Sequence, residues 1–112
     1  PRGGGVLNLH RDPGGEHQCA LALIVLSKVG TDYSDGGLVV VSNDGERCFP
    51  EEACRIGDLL WINPTMIHGV APIDPDSEIN WDSFEGRWSA VLATNKVALD
   101  AQIDDAIDLG KG

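Results

Sequence analysis

Apolar residues in this chain come in short runs, and the gaps between them carry turn chemistry. Val6 to His10 reads as a short extended stretch, and Asp12-Pro13-Gly14-Gly15 inside Arg11 to Gln18 is turn chemistry. Cys19 to Leu26 (CALALIVL) is continuously apolar, and its length and flanks predict a strand buried on both faces. A turn over Thr31 to Gly37 leads to a strand at Leu38 to Ser42, which ends in the hairpin signal Asn43-Asp44-Gly45. Arg47 to Arg55 stays open, since Pro50 argues against a central strand there. After the Gly57-Asp58 turn come strands at Leu59 to Asn63 and near Ile67 to Ala71, a long acidic loop from Pro72 to Gly86, and a last strand at Arg87 to Thr94. From Lys96 the period changes. Leu99, Ile103 and Ile107 form an apolar stripe beside the acidic stripe Asp100, Asp104 and Asp108, which predicts a helix over 96–109 in need of a docking surface. Six or seven short strands predict an all-β sandwich or small barrel of the jelly-roll kind, with a core over 6–94 and a C-terminal helix, in one domain spanning 1–112.

Composition narrows the function classes. At 112 residues, 42% hydrophobic and 23% charged, the chain matches one folded domain. Eight Lys and Arg against 18 Asp and Glu give a formal charge of −10, which argues against a dedicated binder of nucleic acid or of an anionic membrane. The longest apolar run, Cys19 to Leu26, is too short to span a bilayer. Cys19, Cys48 and Cys54 form no CxxC pair, and an odd count without a signal pattern points to reduced thiols and a cytoplasmic setting. Pro1-Arg2-Gly3-Gly4-Gly5, without an initiator Met, reads like the interior of a longer protein that has lost N-terminal elements.

Three groups of residues carry candidate chemistry. His10 and Asp12 are two apart at the end of a strand and so project to one side, as two legs of a metal site. His68 is the natural third leg, and two imidazoles with one carboxylate on one face suit Fe(II) that must also take a co-substrate and O2. Arg87 and Ser89, again two apart, offer a rigid fork of donors and a hydroxyl that would anchor the distal carboxylate of a dicarboxylate co-substrate. Each has a plainer reading: a solvated His-x-Asp turn, a core histidine, an arginine paired with Glu85 or another acid of the loop. Asn8, two before His10, shares its face and would line the same pocket. Leu21 and Leu23 are expected to pack the interior, Trp61 to sit in the core, His17 to be a loop histidine, and Trp81 and Phe84 to form a lid or anchor the acidic loop.

The order His10-x-Asp12, Gly36-Gly37, Gly57-Asp58-Leu59-Leu60, His68 and Arg87-x-Ser89 resembles the Fe(II)/2-oxoglutarate-dependent dioxygenases, over about Leu7 to Thr94. The resemblance implies a double-stranded β-helix, with iron on His10, Asp12 and His68. It further implies the C5 carboxylate of 2-oxoglutarate on Arg87, assisted by Ser89; Asn8, by its place on the His10 face, would either line the pocket near that co-substrate or only satisfy the backbone. The implied activity couples decarboxylation of 2-oxoglutarate to hydroxylation of an unidentified organic substrate. Asp12 implies hydroxylation and not halogenation, because family members with a small residue there leave a site for halide. The string HRDPGGEHQCALALIVLSK is also faintly similar to the members that oxidise thymine or methylcytosine. The chain departs from the family in its long gap from His68 to Arg87, in having only nine residues before His10, and in its short length.

Two other readings stand beside this one. Gly57 to His68 (GDLLWINPTMIH) loosely resembles a cupin motif, although no His-x-His pair precedes it. A non-catalytic β-sandwich module, in which the three ligands never meet, is the other. An edge left open by a missing first strand would invite a homodimer or a companion segment. The substrate, small or macromolecular, is not set by the sequence.

Overall fold

The computed structural model describes residues 2–13, 18–95 and 107–110. These residues form an all-β fold of two antiparallel sheets. In chain order the strands are β1 (Gly5–Arg11), β2 (Gln18–Val25), β3 (Gly37–Val41), β4 (Arg47–Cys48), β5 (Leu59–Ile62), β6 (Ile67–Ile73), β7 (Ser89–Asn95) and β8 (Ile107–Asp108). A 3-10 turn, Pro50–Ala53, occupies the segment that Pro50 withholds from a central strand. The larger sheet has the order β4-β3-β6-β1-β8 and the smaller β5-β2-β7.

Alternation along the strands explains how the sheets face each other. Leu21 opposes Ile62, and Leu23 lies between Leu60 and Val91, so these side chains share one face of the smaller sheet. Leu21 and Ile62 form a buried cluster with Leu38 of the larger sheet, and Val40 and Leu60 pack against it. Burying a side chain of this size contributes roughly 1.5–3 kcal/mol. Leu21 and Leu23 therefore pack inside, as expected. The opposite face of the smaller sheet is apolar too, which is why β2 reads as a continuous apolar run. There the row Trp61, Ala22 and Leu92 looks outward, and Trp61 is 65% exposed. The expectation of a core tryptophan is corrected. Trp61 alternates with the inward-facing Leu60 and Ile62, so the pleat turns it away from the core.

The predicted C-terminal helix is not seen. Ile107–Asp108 is extended and pairs with His10 and Arg11 of β1, so hydrogen bonding to an open sheet edge overrides the local periodicity. The rest of the expected helix, 96–106, and His17 lie outside the described residues. No helix among the described residues is long and apolar enough to cross a membrane. None of the three cysteines is in a disulfide, and Cys19 and Cys48 are exposed.

Asp74 closes the end of the fold far from His10. It sits in the left-handed region at φ 41°, a conformation that aspartate tolerates better than most residues. Its Oδ1 accepts from the backbone N–H groups of Ser34 (2.8 Å) and Asp35 (2.9 Å), and its Oδ2 pairs with Arg2 Nε at 2.9 Å. Burial alone raises the Asp74 pKa, but those N–H groups and the Arg2 guanidinium outweigh it and hold the carboxyl below its ordinary value. A carboxyl lowered in this way stabilises the fold fully above its unfolded value, near 3.8, and the contribution is lost as the pH falls through the folded value. Asp74→Asn is therefore expected to lower the unfolding free energy at pH 7 by about 1 to 2 kcal/mol. Urea denaturation at pH 7 and at pH 3 checks this: the gap from wild type narrows at the lower pH.

Candidate metal centre

His10 and His68 face each other across the β1–β6 ladder as direct Cα partners. Their ring centroids lie 4.4 Å apart, with the planes inclined at 54°. Asp12 follows just past the end of β1, and its backbone N–H donates to the Pro64 carbonyl at 2.9 Å, which ties it to the turn before β6. One donor atom from each of His10, Asp12 and His68 lies within 4.8 Å of the others, so the three residues expected to meet do so.

Backbone carbonyls fix both rings. His10 Nδ1 donates to Asn8 O at 2.7 Å and His68 Nδ1 to Met66 O at 2.8 Å. A carbonyl only accepts, so each neutral ring carries its proton on Nδ1 and presents a bare lone pair at Nε2. Those lone pairs meet a carboxylate: His10 Nε2 is 3.4 Å from Asp12 Oδ1 and His68 Nε2 is 3.5 Å from Asp12 Oδ2. Ligands of one divalent ion at bond lengths of about 2.1 Å stand roughly 3.0 to 3.4 Å apart at octahedral or tetrahedral angles. The two histidine–carboxylate spacings are close to that range. His68 is 3% exposed, and its Nε2 is a buried polar atom without a hydrogen-bond partner. Such an atom costs about 1–3 kcal/mol unless something occupies its lone pair. The residues present therefore fit a divalent metal.

A cavity of about 260 Å³ opens from this cluster. His10, Asp12 and His68 line it together with Arg87 and Ser89, and Leu7, Leu21, Leu23 and Val91 are among its apolar walls. The two chemistry-bearing groups thus share one space. Arg87 differs from expectation in two ways. It precedes β7 instead of lying in it, held between Gly86, whose N–H donates to Asp32 O, and Trp88, whose N–H donates to Ser27 Oγ. Its guanidinium is also already paired. Nε donates to Glu51 Oε2 and Oε1 (2.7 and 3.0 Å), and Nη2 donates to Oε1 (2.8 Å). The arginine does find an acid, but that acid is Glu51 of the 3-10 turn and not Glu85, which pairs with Arg2.

Asn8 does not line the cavity; Leu7 does. Register explains the correction. Leu7 pairs with Val70 and His10 with His68, so three steps on β1 match two on β6, and the irregularity breaks the alternation that put Asn8 beside His10. Asn8 contributes its carbonyl instead. Gly69 makes that approach possible, because a Cβ there would stand 2.8 Å from Leu7 O and 2.9 Å from Asn8 O. Trp81 and Phe84, 79% and 85% exposed, do not line the cavity, and Phe84 packs against Trp88 with ring centroids 6.1 Å apart.

Sequence reasoning missed Glu51, Gly69 and the irregularity in β1. A stranded arginine beside an apolar strand was the one available sign of a buried counter-ion. Gly69→Ala is expected to push against the Asn8 carbonyl that orients His10 and to weaken divalent-metal binding about tenfold or more. Metal titration followed by calorimetry checks this, with wild-type far-ultraviolet circular dichroism as the folding control.

No family model matches the chain, and neither a curated protein nor a solved structure matches it.

Proposed function

We propose that this chain is a non-haem iron oxygenase domain that couples decarboxylation of 2-oxoglutarate to hydroxylation of an organic substrate. The observation that carries the reading is the buried, unpartnered Nε2 of His68, aimed with His10 and Asp12 at one point on the wall of a cavity that Arg87 and Ser89 also line. The strand order supports a double-stranded β-helix. Apart from the β3–β4 hairpin, successive strands alternate between the sheets, with β1, β3, β4, β6 and β8 in the larger and β2, β5 and β7 in the smaller.

His10, Asp12 and His68 would hold the iron, and because all three come from one side they leave its other positions open for small ligands. Iron(II) with 2-oxoglutarate and O2 supplies the oxidation, yielding succinate, CO2 and a hydroxylated product. The protein's part is to bind and orient. The Nδ1–H bonds to Asn8 O and Met66 O keep both rings in the ligating tautomer. Arg87 and Ser89 would take the far carboxylate of the co-substrate, and the leucine and valine walls would pack its methylenes and exclude water. Among the described residues the outer edge of β7 carries no strand, which is where a homodimer partner or a companion strand would add.

The test is anaerobic. Fe(II) plus 2-oxoglutarate is expected to give a weak visible charge-transfer band, and 2-oxoglutarate is expected to raise the thermal midpoint of the iron-loaded protein. His10→Ala and His68→Ala are each expected to lose the band and, once O2 is admitted, to show no iron-dependent decarboxylation of 2-oxoglutarate. Retained decarboxylation in either variant refutes the ligand assignment. A response to metal but none to 2-oxoglutarate indicates a cupin-like metal protein, and a response to neither indicates a structural module.

A further inference from the structure

The proposed reaction leaves one buried acid without a role. Glu51 is 5% exposed, and among the described residues four donors converge on its carboxylate. Arg87 contributes Nε and Nη2, the Tyr33 hydroxyl donates to Oε2 at 3.1 Å, and the Leu38 backbone N–H donates to the same oxygen at 2.8 Å. Burial, and then the Glu51 charge, push the Tyr33 phenol well above its ordinary pKa, so it stays a donor across the physiological range. Gly37 makes room for the group. It sits at φ 113°, and a Cβ on it would meet Glu51 Oε2 at 3.0 Å and the Tyr33 hydroxyl at 3.1 Å.

The arrangement is asymmetric. Glu51 is held by β3 and by Tyr33 whether or not Arg87 is present, whereas the guanidinium has Glu51 as its hydrogen-bonding partner among the described residues. Glu51 is the fixed member and Arg87 the placed one. A bidentate pair fixes the guanidinium plane as well as its position. It engages Nε and Nη2, and it leaves Nη1 without a hydrogen bond among the described residues, on a side chain that lines the cavity beside Ser89.

We propose that Glu51 is the positioning residue for the cavity's carboxylate-binding arginine, holding Arg87 so that Nη1 and the Ser89 hydroxyl serve one end of a dicarboxylate. This rests on the oxygenase reading and deepens it. Two effects of removing the Glu51 charge oppose each other. Loss of a neighbouring negative charge favours an anionic ligand, while loss of the fork frees Arg87 to turn away. Orientation wins on this structure. The Glu51 charge is already shared among the Tyr33 hydroxyl, the Leu38 N–H and the guanidinium, and a released Arg87 lies directly after an acidic stretch holding Asp82 and Glu85 that would draw it off the cavity.

The experiment is anaerobic titration of the Fe(II)-loaded chain with 2-oxoglutarate, beside a separate metal titration. Glu51→Gln is expected to weaken 2-oxoglutarate about tenfold while iron affinity stays within about twofold, a split that general loosening of the fold does not give. Tyr33→Phe, which removes one donor to Glu51 and keeps the ion pair, is expected to weaken 2-oxoglutarate about two- to threefold. It remains informative if Glu51→Gln fails to fold. Glu51→Gln added to Arg87→Ala is expected to cause no further loss. Unchanged or tighter 2-oxoglutarate binding in Glu51→Gln, or in Tyr33→Phe should it alone fold, overturns the proposal. Absence of any 2-oxoglutarate response in the iron-loaded wild type overturns the oxygenase reading, and this assignment with it.

Discussion

Three groups able to donate electron pairs face one another at the mouth of this fold. Each imidazole has its Nδ1 proton committed to a backbone carbonyl, and the Asp12 carboxylate has only lone pairs to offer in return. With both rings neutral, two bare nitrogens at 3.4 and 3.5 Å from a carboxylate meet it unfavourably, and a cation between them relieves the meeting. The fold is arranged to hold that unfavourable meeting. His10 and His68 are locked in register across the central ladder of the larger sheet, and Gly69, next to His68, leaves room for the Asn8 carbonyl that holds the His10 ring. Such a geometry is one that a cation would complete.

The same logic, with the charge settled inside the protein, governs the Arg87 end of the cavity. A guanidinium at the edge of a mostly apolar space needs a counter-charge, and Glu51 supplies it from the 3-10 turn. The two clusters are therefore complementary. At the triad, negative and neutral donors await a positive partner, while at Arg87 the positive charge is already balanced and what remains on offer is hydrogen-bonding direction. A ligand that bridges them would meet a net attraction at one end and mainly geometric recognition at the other. That division suits a small molecule whose reacting end must bind an ion and whose other end must only be placed.

Much of this was legible in the sequence because it depends on spacing within a strand. His-x-Asp at a strand end, a lone His on a later strand and the doubly apolar β2 follow from alternation and turn chemistry, and the structure brings together the residues that those patterns single out. What the sequence did not show depends on events between strands. An irregularity in the β1–β6 ladder exchanged Asn8 for Leu7 on the cavity wall. Glu51 sits in Pro50-Glu51-Glu52-Ala53, a stretch whose local pattern is that of any exposed acidic turn, and only the approach of Arg87, Tyr33 and the Leu38 N–H buries it. The helical period over 96–109 was real as a pattern, yet at Ile107–Asp108 an unpaired strand edge offered backbone hydrogen bonds that the stripe could not match.

The outer face of the smaller sheet extends this reasoning to the surface. An antiparallel sheet with one solvated side ordinarily alternates apolar and polar residues. Here the outward row Leu59, Ile24 and Ala90 and the next row, Trp61, Ala22 and Leu92, are apolar across all three strands. The inward rows are apolar because they wall the cavity, so both faces of the smaller sheet are apolar. The larger sheet carries both histidines, and the two carbonyls that fix their rings come from Asn8 within it and from Met66 immediately before β6. The histidines thus sit on the larger sheet, and Ser89 faces the same cavity from β7 of the smaller one. A change to the outer rows should reach the triad only through the cavity walls, namely Leu21, Leu23 and Val91, which alternate with those rows along β2 and β7.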